Sequence, residues 1–166
     1  MSCSLRPVGR AHRARLDQLT RATGLFREEE VATAVELLDE SLDGDEDYQF
    51  LGAFDDDQLV GYACWGPTPD TAGTHDLYWI VVDRERQGAG VGTQLLRDVE
   101  SRLTAHGARL VVVETSSRAD YGPTRAFYET RGYARTATIP GYYAPGDDLV
   151  IYTKDLTDGD LAGAAP

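Results

Sequence analysis

The chain has few lysine, methionine and cysteine residues. It contains one lysine (Lys154), one methionine and two cysteines among 166 residues, and 28 Asp plus Glu oppose 16 Lys plus Arg. The formal net charge is -12. So few cations disfavour an extended footprint on phosphate backbones or anionic lipid. We therefore expect no nucleic-acid partner and no membrane association. The acidity fits either adaptation to high salt or a genome that favours arginine over lysine.

Long apolar runs and metal-binding spacings are also missing. No stretch approaches about 18 uninterrupted apolar residues, and residues 1–10 lack the apolar segment of a signal peptide. Cys3 and Cys64 form no CxxC pair, and the three histidines show none of the spacings of zinc sites. We therefore expect a reduced, soluble, cytoplasmic protein that holds no metal.

The apolar pattern that is present predicts one α/β domain. Its predicted element order is β-α-α-β-β-β-α-β-α-β-β, from a strand at 5–8 to a strand pair at 133–139 and 148–154, with 140–147 as the connection. The runs 77–82 and 110–114 are typical of strands covered on both faces. We expect the domain to span residues 1–156 and the small, polar segment 157–166 to be a flexible tail.

A glycine-rich loop follows the strand at 76–83 and opens a helix. Glycine lets the backbone approach a ligand, and amides at a helix N-terminus favour an anion, so the loop predicts a phosphate or pyrophosphate site. A tight turn without a ligand is the alternative. A P-loop would need a lysine between the glycines and Thr93. A dinucleotide fingerprint would need its third glycine at Thr93, and although Glu114 suits a ribose-binding acid, too few βα units follow.

Two motifs carry a family resemblance. Gln87-x-x-Gly90-x-Gly92 resembles the acyl-CoA pyrophosphate loop of the GNAT superfamily of N-acetyltransferases. Thirty-five residues after Gly92, the segment Phe127-Tyr128-x-x-x-Gly132-Tyr133 resembles the second signature of that superfamily. The resemblance covers about residues 5–156. It implies an α/β (α+β) fold with a mixed, mostly antiparallel central sheet of six to seven strands, about four flanking helices and splayed central strands.

The resemblance also implies an acetyltransferase that moves an acetyl group from acetyl-CoA to a primary amine of a small molecule or peptide, by direct attack in a ternary complex. Tyr128 matches the general acid that protonates the leaving thiolate. The implied cofactor-binding residues lie in the strand and the loop: Ile80, Val81, Val82, Gln87, Gly88, Ala89, Gly90, Val91, Gly92 and Thr93. The alternative function is a catalytically silent CoA-binding sensor or interaction subunit of the same fold.

The general base and one CoA contact are less specified. Glu114 ends the strand opposite the thioester and is our candidate base, with Asp76 and His75 as alternatives that act through water. Many family members carry an asparagine seven residues before the acid tyrosine, where this chain has Tyr121. The contact of that asparagine would then pass to another residue. The candidates are Thr115, Ser116 and Arg125, of which we assign Arg125 to cofactor binding.

The acceptor pocket is the least specified part of the prediction. The resemblance places it near Phe26, Trp65 and the Tyr142–Tyr143 pair. The acidic loops at 43–47 and 55–57 would attract a cationic amine, or they are plain solvated surface. A homodimer is the one protein assembly that we leave open.

Overall fold

In a computed structural model of the chain, residues 2–157 are described, and within them the chain forms four α-helices and seven strands. The helices are α1 (Arg13–Ala22), α2 (Glu28–Leu42), α3 (Val91–Ala105) and α4 (Gly122–Glu129). The strands are β1 (Ser4–Arg6), β2 (Gln49–Asp55), β3 (Gln58–Pro67), β4 (Thr74–Val82), β5 (Leu110–Ser116), β6 (Ala134–Ala144) and β7 (Asp147–Asp155). The element order is the predicted one. None of the helices described here has the length and hydropathy that crossing a membrane requires.

The strands form a mixed sheet in the order β1-β2-β3-β4-β5-β7-β6. The β1–β2, β2–β3, β5–β7 and β6–β7 pairs are antiparallel, whereas β4 and β5 are parallel. In the parallel pair, Thr74, His75 and Asp76 lie opposite Leu110, Val111 and Val112. The predicted fold class is therefore confirmed. The splay of the central strands stays a prediction, and the predicted tail lies, except for Thr157, outside the described residues.

The contacts divide the chain into two compact units. The first unit comprises the chain up to Pro67 together with Leu77–Arg102. In its core, α2 buries Val31, Ala34, Val35 and Leu38, which recur at the spacing of one helix face. Three glutamates occupy the first turn of α2, where the helix dipole favours negative charge. Strand β3 is buried over every residue except its two ends.

The second unit comprises Thr68–Asp76 and the chain from Leu103 onward. Strand β5 buries Val111, Val113 and Thr115 on one face, as the two-residue period of a strand requires. The sequence prediction differs from the structure in β6, which continues to Ala144 and leaves only a tight turn before β7. Pro140 and Gly141 are turn-forming residues that predicted a loop. They lie instead in an irregular stretch where the β6–β7 register shifts between Ile139 and Ala144.

Candidate active site

The chain leaves β4 through a turn fixed by Asp83. The Asp83 backbone N–H donates to the Val60 carbonyl (2.8 Å), and its carboxylate accepts the Glu85 backbone N–H (3.1 Å). Arg15 donates to the same carboxylate across 2.5 Å. The glycine loop therefore starts from a point that is held from three directions. A short 3-10 turn, Arg84–Arg86, leads into it.

The loop has a backbone that requires glycine at two positions. Gly88 and Gly90 have φ angles of +82° and +85°, and a Cβ built at either would meet no heavy atom within 4 Å. The constraint is thus the left-handed conformation and not crowding, and space lies open beside the loop. The backbone N–H of Gln94 donates to the Gly90 carbonyl (3.0 Å), which is the first i to i-4 bond of α3. The backbone amides that come before Gln94 precede this bond.

This arrangement fits a pyrophosphate. Backbone amides and the positive end of a 15-residue helix face an exposed, open loop. Arg86 contributes little net charge, because its guanidinium lies 2.5 Å from the carboxylate of Asp55. Recognition of an anion here would rest chiefly on backbone groups, which is why small side chains suffice.

Tyr128 lies in a cluster of aromatic rings in the second unit. Its side chain is only 3% exposed, and its ring centroid lies 5.2 Å from Phe127, 5.3 Å from Tyr133 and 6.5 Å from Tyr152. Burial raises the pKa of Tyr128 well above its usual value, so the phenol keeps its proton at neutral pH. Within residues 2–157, its hydroxyl makes no hydrogen bond to another group of the protein.

A polar network fixes the ring that stacks on Tyr128. The Tyr152 hydroxyl donates to the carboxylate of Glu129 (2.6 Å), and Arg135 donates to both that carboxylate and the Tyr152 oxygen (3.3 and 3.2 Å). Glu129 directly follows Tyr128 at the end of α4. The ring of the candidate acid is therefore positioned by neighbours that are themselves held in place.

The strand register brings together two of the three candidate bases. Asp76 lies opposite Val112, and Val112 and Glu114 share one face of β5, so both carboxylates lie on that face. The pKa of Glu114 is raised, mainly by partial burial and further by the negative charge of Asp76. Thr68 donates a hydrogen bond to the Asp76 carboxylate (2.8 Å).

His75, the third candidate base, differs from the two carboxylates. It neighbours Asp76 in β4 and therefore points to the opposite face of the sheet. Burial lowers its pKa, although a hydrogen bond with the Gly73 backbone and the charge of Asp76 oppose that shift. By its place in the strand, His75 lies on the opposite face of the sheet from Asp76 and Glu114.

The acetyltransferase (GNAT) family profile matches residues 14–133 of this sequence. The chain belongs to this family. A structure assigned to the GNAT family from Desulfovibrio desulfuricans matches with a TM-score of 0.88 and 40% identity, over 93% of this chain and 99% of that chain. Family recognition from the two motifs is therefore confirmed, and the predicted enzyme class agrees with the family.

Two further matches are to proteins named as N-acetyltransferases. The PaiA N-acetyltransferase from Thermoplasma acidophilum, solved in complex with coenzyme A, matches with a TM-score of 0.70 at 19% identity, over 91% of this chain and 98% of that chain. An uncharacterized N-acetyltransferase from Methanocaldococcus jannaschii is 29% identical over 100 residues, which are 60% of this chain and 61% of the relative. The match thus spans less than two thirds of the length of that curated relative.

In this GNAT chain, the three residues that could replace the missing asparagine all form hydrogen bonds with other groups of the protein. Arg125 donates to the carbonyls of Ser116 (2.5 Å) and Arg118 (2.9 Å) and so holds the segment after β5. The Thr115 hydroxyl donates to the Val150 carbonyl (2.8 Å), and that of Ser116 pairs with the Asp147 carboxylate. The guanidinium carbon of Arg118 lies over the ring of Tyr121, 5.2 Å from the ring centroid. A CoA contact by any of them stays a prediction.

The residues predicted to border the acceptor pocket have unequal access to solvent. Trp65 is only 6% exposed, whereas Tyr142 and Tyr143 are 55% and 46% exposed. Phe26 packs edge-on against Trp79 with centroids 6.3 Å apart. The indole N–H of Trp79 donates to the Tyr62 hydroxyl (3.0 Å), which fixes that ring. Sequence reasoning missed Trp79 and Thr68, because an apolar strand and a Pro/Gly-rich loop carry no signal for either contact.

No cluster of three or more His, Cys, Asp or Glu side chains suited to a metal ion occurs within residues 2–157. The predicted absence of a metal stays a prediction. Both cysteines are free thiols and buried, and burial strongly raises the pKa of Cys64. A buried thiol of this kind is unreactive and serves packing.

Proposed function

We propose that this chain is an acetyl-CoA-dependent N-acetyltransferase that acetylates a primary amine of a small molecule or peptide. The observation that carries the proposal is the loop before α3, where Gly88 and Gly90 adopt positive φ with open space beside them. Such a loop suits a pyrophosphate, because its amides supply hydrogen bonds without any side chain. The coenzyme A complex of the PaiA relative supports acetyl-CoA as the donor.

Acetyl-CoA would supply the acetyl group as a thioester. The main chain of Ile80, Val81 and Val82 would bind its pantetheine arm, and residues 87–93 its pyrophosphate, with Arg125 as an added contact. The amine nitrogen forms a bond to the thioester carbonyl carbon, and the carbon–sulfur bond breaks. Direct attack in a ternary complex requires no covalent enzyme intermediate.

Two protons must move in this reaction. Glu114 would take one from the amine, directly or through water, and its raised pKa makes it a stronger base than an ordinary carboxylate. Tyr128 would give one to the departing thiolate, and burial keeps its phenol protonated until then. The homodimer and the cytoplasmic location predicted from the sequence stay predictions.

Calorimetric titration with acetyl-CoA, followed by a thiol-release assay over a panel of amines, tests the proposal. We expect saturable binding, and release of CoA with at least one amine. Binding with no thiol release across the panel would favour the silent sensor. If no heat of binding is seen up to millimolar acetyl-CoA, both functions are refuted.

The kinetic order tests the ternary complex. Initial rates at varied concentrations of both substrates should give intersecting double-reciprocal lines, because both substrates bind before either product leaves. Parallel lines would indicate a covalent acetyl-enzyme and would overturn the direct attack.

A further inference from the structure

Arg15 on α1 reaches the turn that precedes the glycine loop. Its Nε–H donates to the Leu59 carbonyl (3.1 Å), and its terminal N–H donates to the Asp83 carboxylate (2.5 Å). The side chains of Arg15 and Asp83 are only 29% and 18% exposed. A guanidinium presents its donors in a fixed, planar fork, so one side chain holds both the strand and the carboxylate. Arg15 thus joins groups that lie 44 and 68 positions away in the sequence.

Helix α1 is a firm base for this contact, because it is packed in the core of the first unit. Leu16 and Leu19, which follow Arg15, are buried and belong to the apolar core cluster. The hydroxyls of Thr20 and Tyr62 share a hydrogen bond (2.5 Å), which ties α1 to β3. The guanidinium therefore extends from a helix whose own position is fixed.

A series of backbone hydrogen bonds runs from Asp83 into the loop. The Arg86 N–H donates to the Asp83 carbonyl (2.8 Å), and the Ala89 N–H donates to the Arg86 carbonyl (3.3 Å). The Asp83 carboxylate also accepts the Glu85 N–H, which caps the 3-10 turn. Ala89 lies between the two loop glycines that adopt positive φ. A displacement of Asp83 would therefore move the amides that we expect to bind the pyrophosphate.

The conformation of the loop depends on how its ends are held. Residues 87–90 are all exposed, and the loop glycines have open space beside them, so packing does little to fix this stretch. At its first end, the attachments are the Arg15–Asp83 pair and the pairing of Arg86 with Asp55. Its second end is the start of α3. A loop of this kind binds an anion in proportion to the fraction of molecules whose amides already converge.

We propose that Arg15 is a positioning residue for the acyl donor: by holding Asp83, it keeps the amides of the glycine loop convergent before acetyl-CoA binds. Arg15 acts through Asp83 and is assigned no contact with acetyl-CoA. This inference rests on the proposed acetyltransferase function and extends it to a residue of α1. Preorganisation raises affinity without a new contact, because the ligand does not have to order the loop.

Arg15→Met and Arg13→Met form a matched pair of variants. Each removes one arginine of an Arg–Asp ion pair on α1 and changes the formal charge from -12 to -13, but Arg13 pairs with Asp39 on α2. We expect Arg15→Met to raise the acetyl-CoA Kd measured by calorimetry about tenfold, which corresponds to a binding-competent fraction lowered to about one tenth. Arg13→Met should bind like the wild type. An unchanged Kd in Arg15→Met, or an equal loss in both variants, would overturn the inference.

Kinetics and a double-variant cycle separate positioning from a merely structural role. With an amine that the wild type acetylates, Arg15→Met should raise KM for acetyl-CoA and leave kcat unchanged, because bound acetyl-CoA orders the loop. The losses of affinity in Arg15→Met and Asp83→Asn should not add in the double variant, since both changes break one ion pair and asparagine keeps the capping oxygen. A lower kcat at unchanged KM, or additive losses, would count against Arg15.

A milder variant covers the case in which Arg15→Met folds poorly. Arg15→Lys keeps the charge but loses the fork of donors. Without ligand, the amides of Arg86 and Ala89 should exchange hydrogen faster in this variant than in the wild type, whereas the buried Leu38 of α2 should not change. Unchanged exchange at both loop amides would refute the positioning role. If the wild type binds no acetyl-CoA, the proposed function fails, whereas the exchange rates still decide whether Arg15 holds the loop.

Discussion

Tyr128 and Glu114 both have raised pKa values, but the causes differ. Burial alone acts on Tyr128, whereas Glu114 is affected by partial burial and by the neighbouring charge of Asp76. In the proposed mechanism, the first shift would retain a proton for the leaving group, and the second would strengthen a base. The two side chains thus suit opposite halves of one proton-transfer reaction, which is the pattern expected of an acid–base pair.

At the residue scale, Tyr128→Phe should lower kcat about a hundredfold, the usual contribution of a general acid, and leave acetyl-CoA affinity unchanged. The contacts between the rings remain, so the urea concentration at the midpoint of unfolding should also stay unchanged. Steady-state kinetics and calorimetry measure the two quantities. Tyr133→Phe is the control, because it removes a hydroxyl from a ring 5.3 Å away in the same cluster. A Tyr128→Phe enzyme with wild-type kcat would show that another group protonates the thiolate.

Also at this scale, the charge of Asp76 should influence the pH at which activity is lost on the acid side of the pH profile. Activity should be lost as pH falls through the raised pKa of Glu114, since a protonated carboxyl is no base. Asp76→Asn removes the nearby negative charge, lowers the Glu114 pKa and should move that limb of kcat/KM to lower pH. Asp98→Asn is the control for net charge, because Asp98 pairs with Arg102 on α3. An identical shift in both variants would argue against a local effect.

At the scale of the element, an alanine variant in the glycine loop and one outside it distinguish the cost of backbone strain from an effect on acetyl-CoA binding. Gly90→Ala should cost about 1 kcal/mol of unfolding free energy, because φ is +85° there, and should also weaken acetyl-CoA binding. Gly44→Ala, at φ +104° with no neighbour within 4 Å, should cost a similar amount and leave binding intact. Urea unfolding and calorimetry compare the two variants. Weak binding in both would attribute the loss to general destabilisation.

The elements also show what a sequence can predict. The apolar pattern predicted the order of the elements, and the glycine spacing and the Phe127-Tyr128 motif predicted the family, because these signals are local. The placement of Asp76 and Glu114 on one face of the sheet depends on the register between β4 and β5, whose paired residues are 36 positions apart in the sequence. The irregular part of β6 depends likewise on its pairing with β7, where the register shifts between Ile139 and Ala144. Neither long-range arrangement leaves a trace in local composition.

At the scale of the whole molecule, the excess of acid is only partly offset by ion pairs. Arg10–Asp43, Arg13–Asp39 and Arg21–Glu28 are examples on the surface, and exposed pairs of this kind stabilise a fold little. Most of the acidic excess therefore acts as self-repulsion. Recognition of an anion by backbone amides is compatible with such a surface, because it is local and needs no basic patch.

Salt should consequently stabilise this molecule. Raising KCl from 0.1 to 1 M shortens the screening length from about 10 Å to about 3 Å, so the free energy of unfolding should increase, and acetyltransferase activity should survive. Urea titrations at both salt concentrations measure the first effect. The matched variant Glu46→Gln/Asp47→Asn/Asp56→Asn removes three exposed carboxylates and changes the formal charge from -12 to -9. It should be more stable than the wild type at low salt and gain less from KCl. If the wild type loses stability in 1 M KCl, attractive ion pairs outweigh self-repulsion, and the acidity reflects base composition and not adaptation to salt.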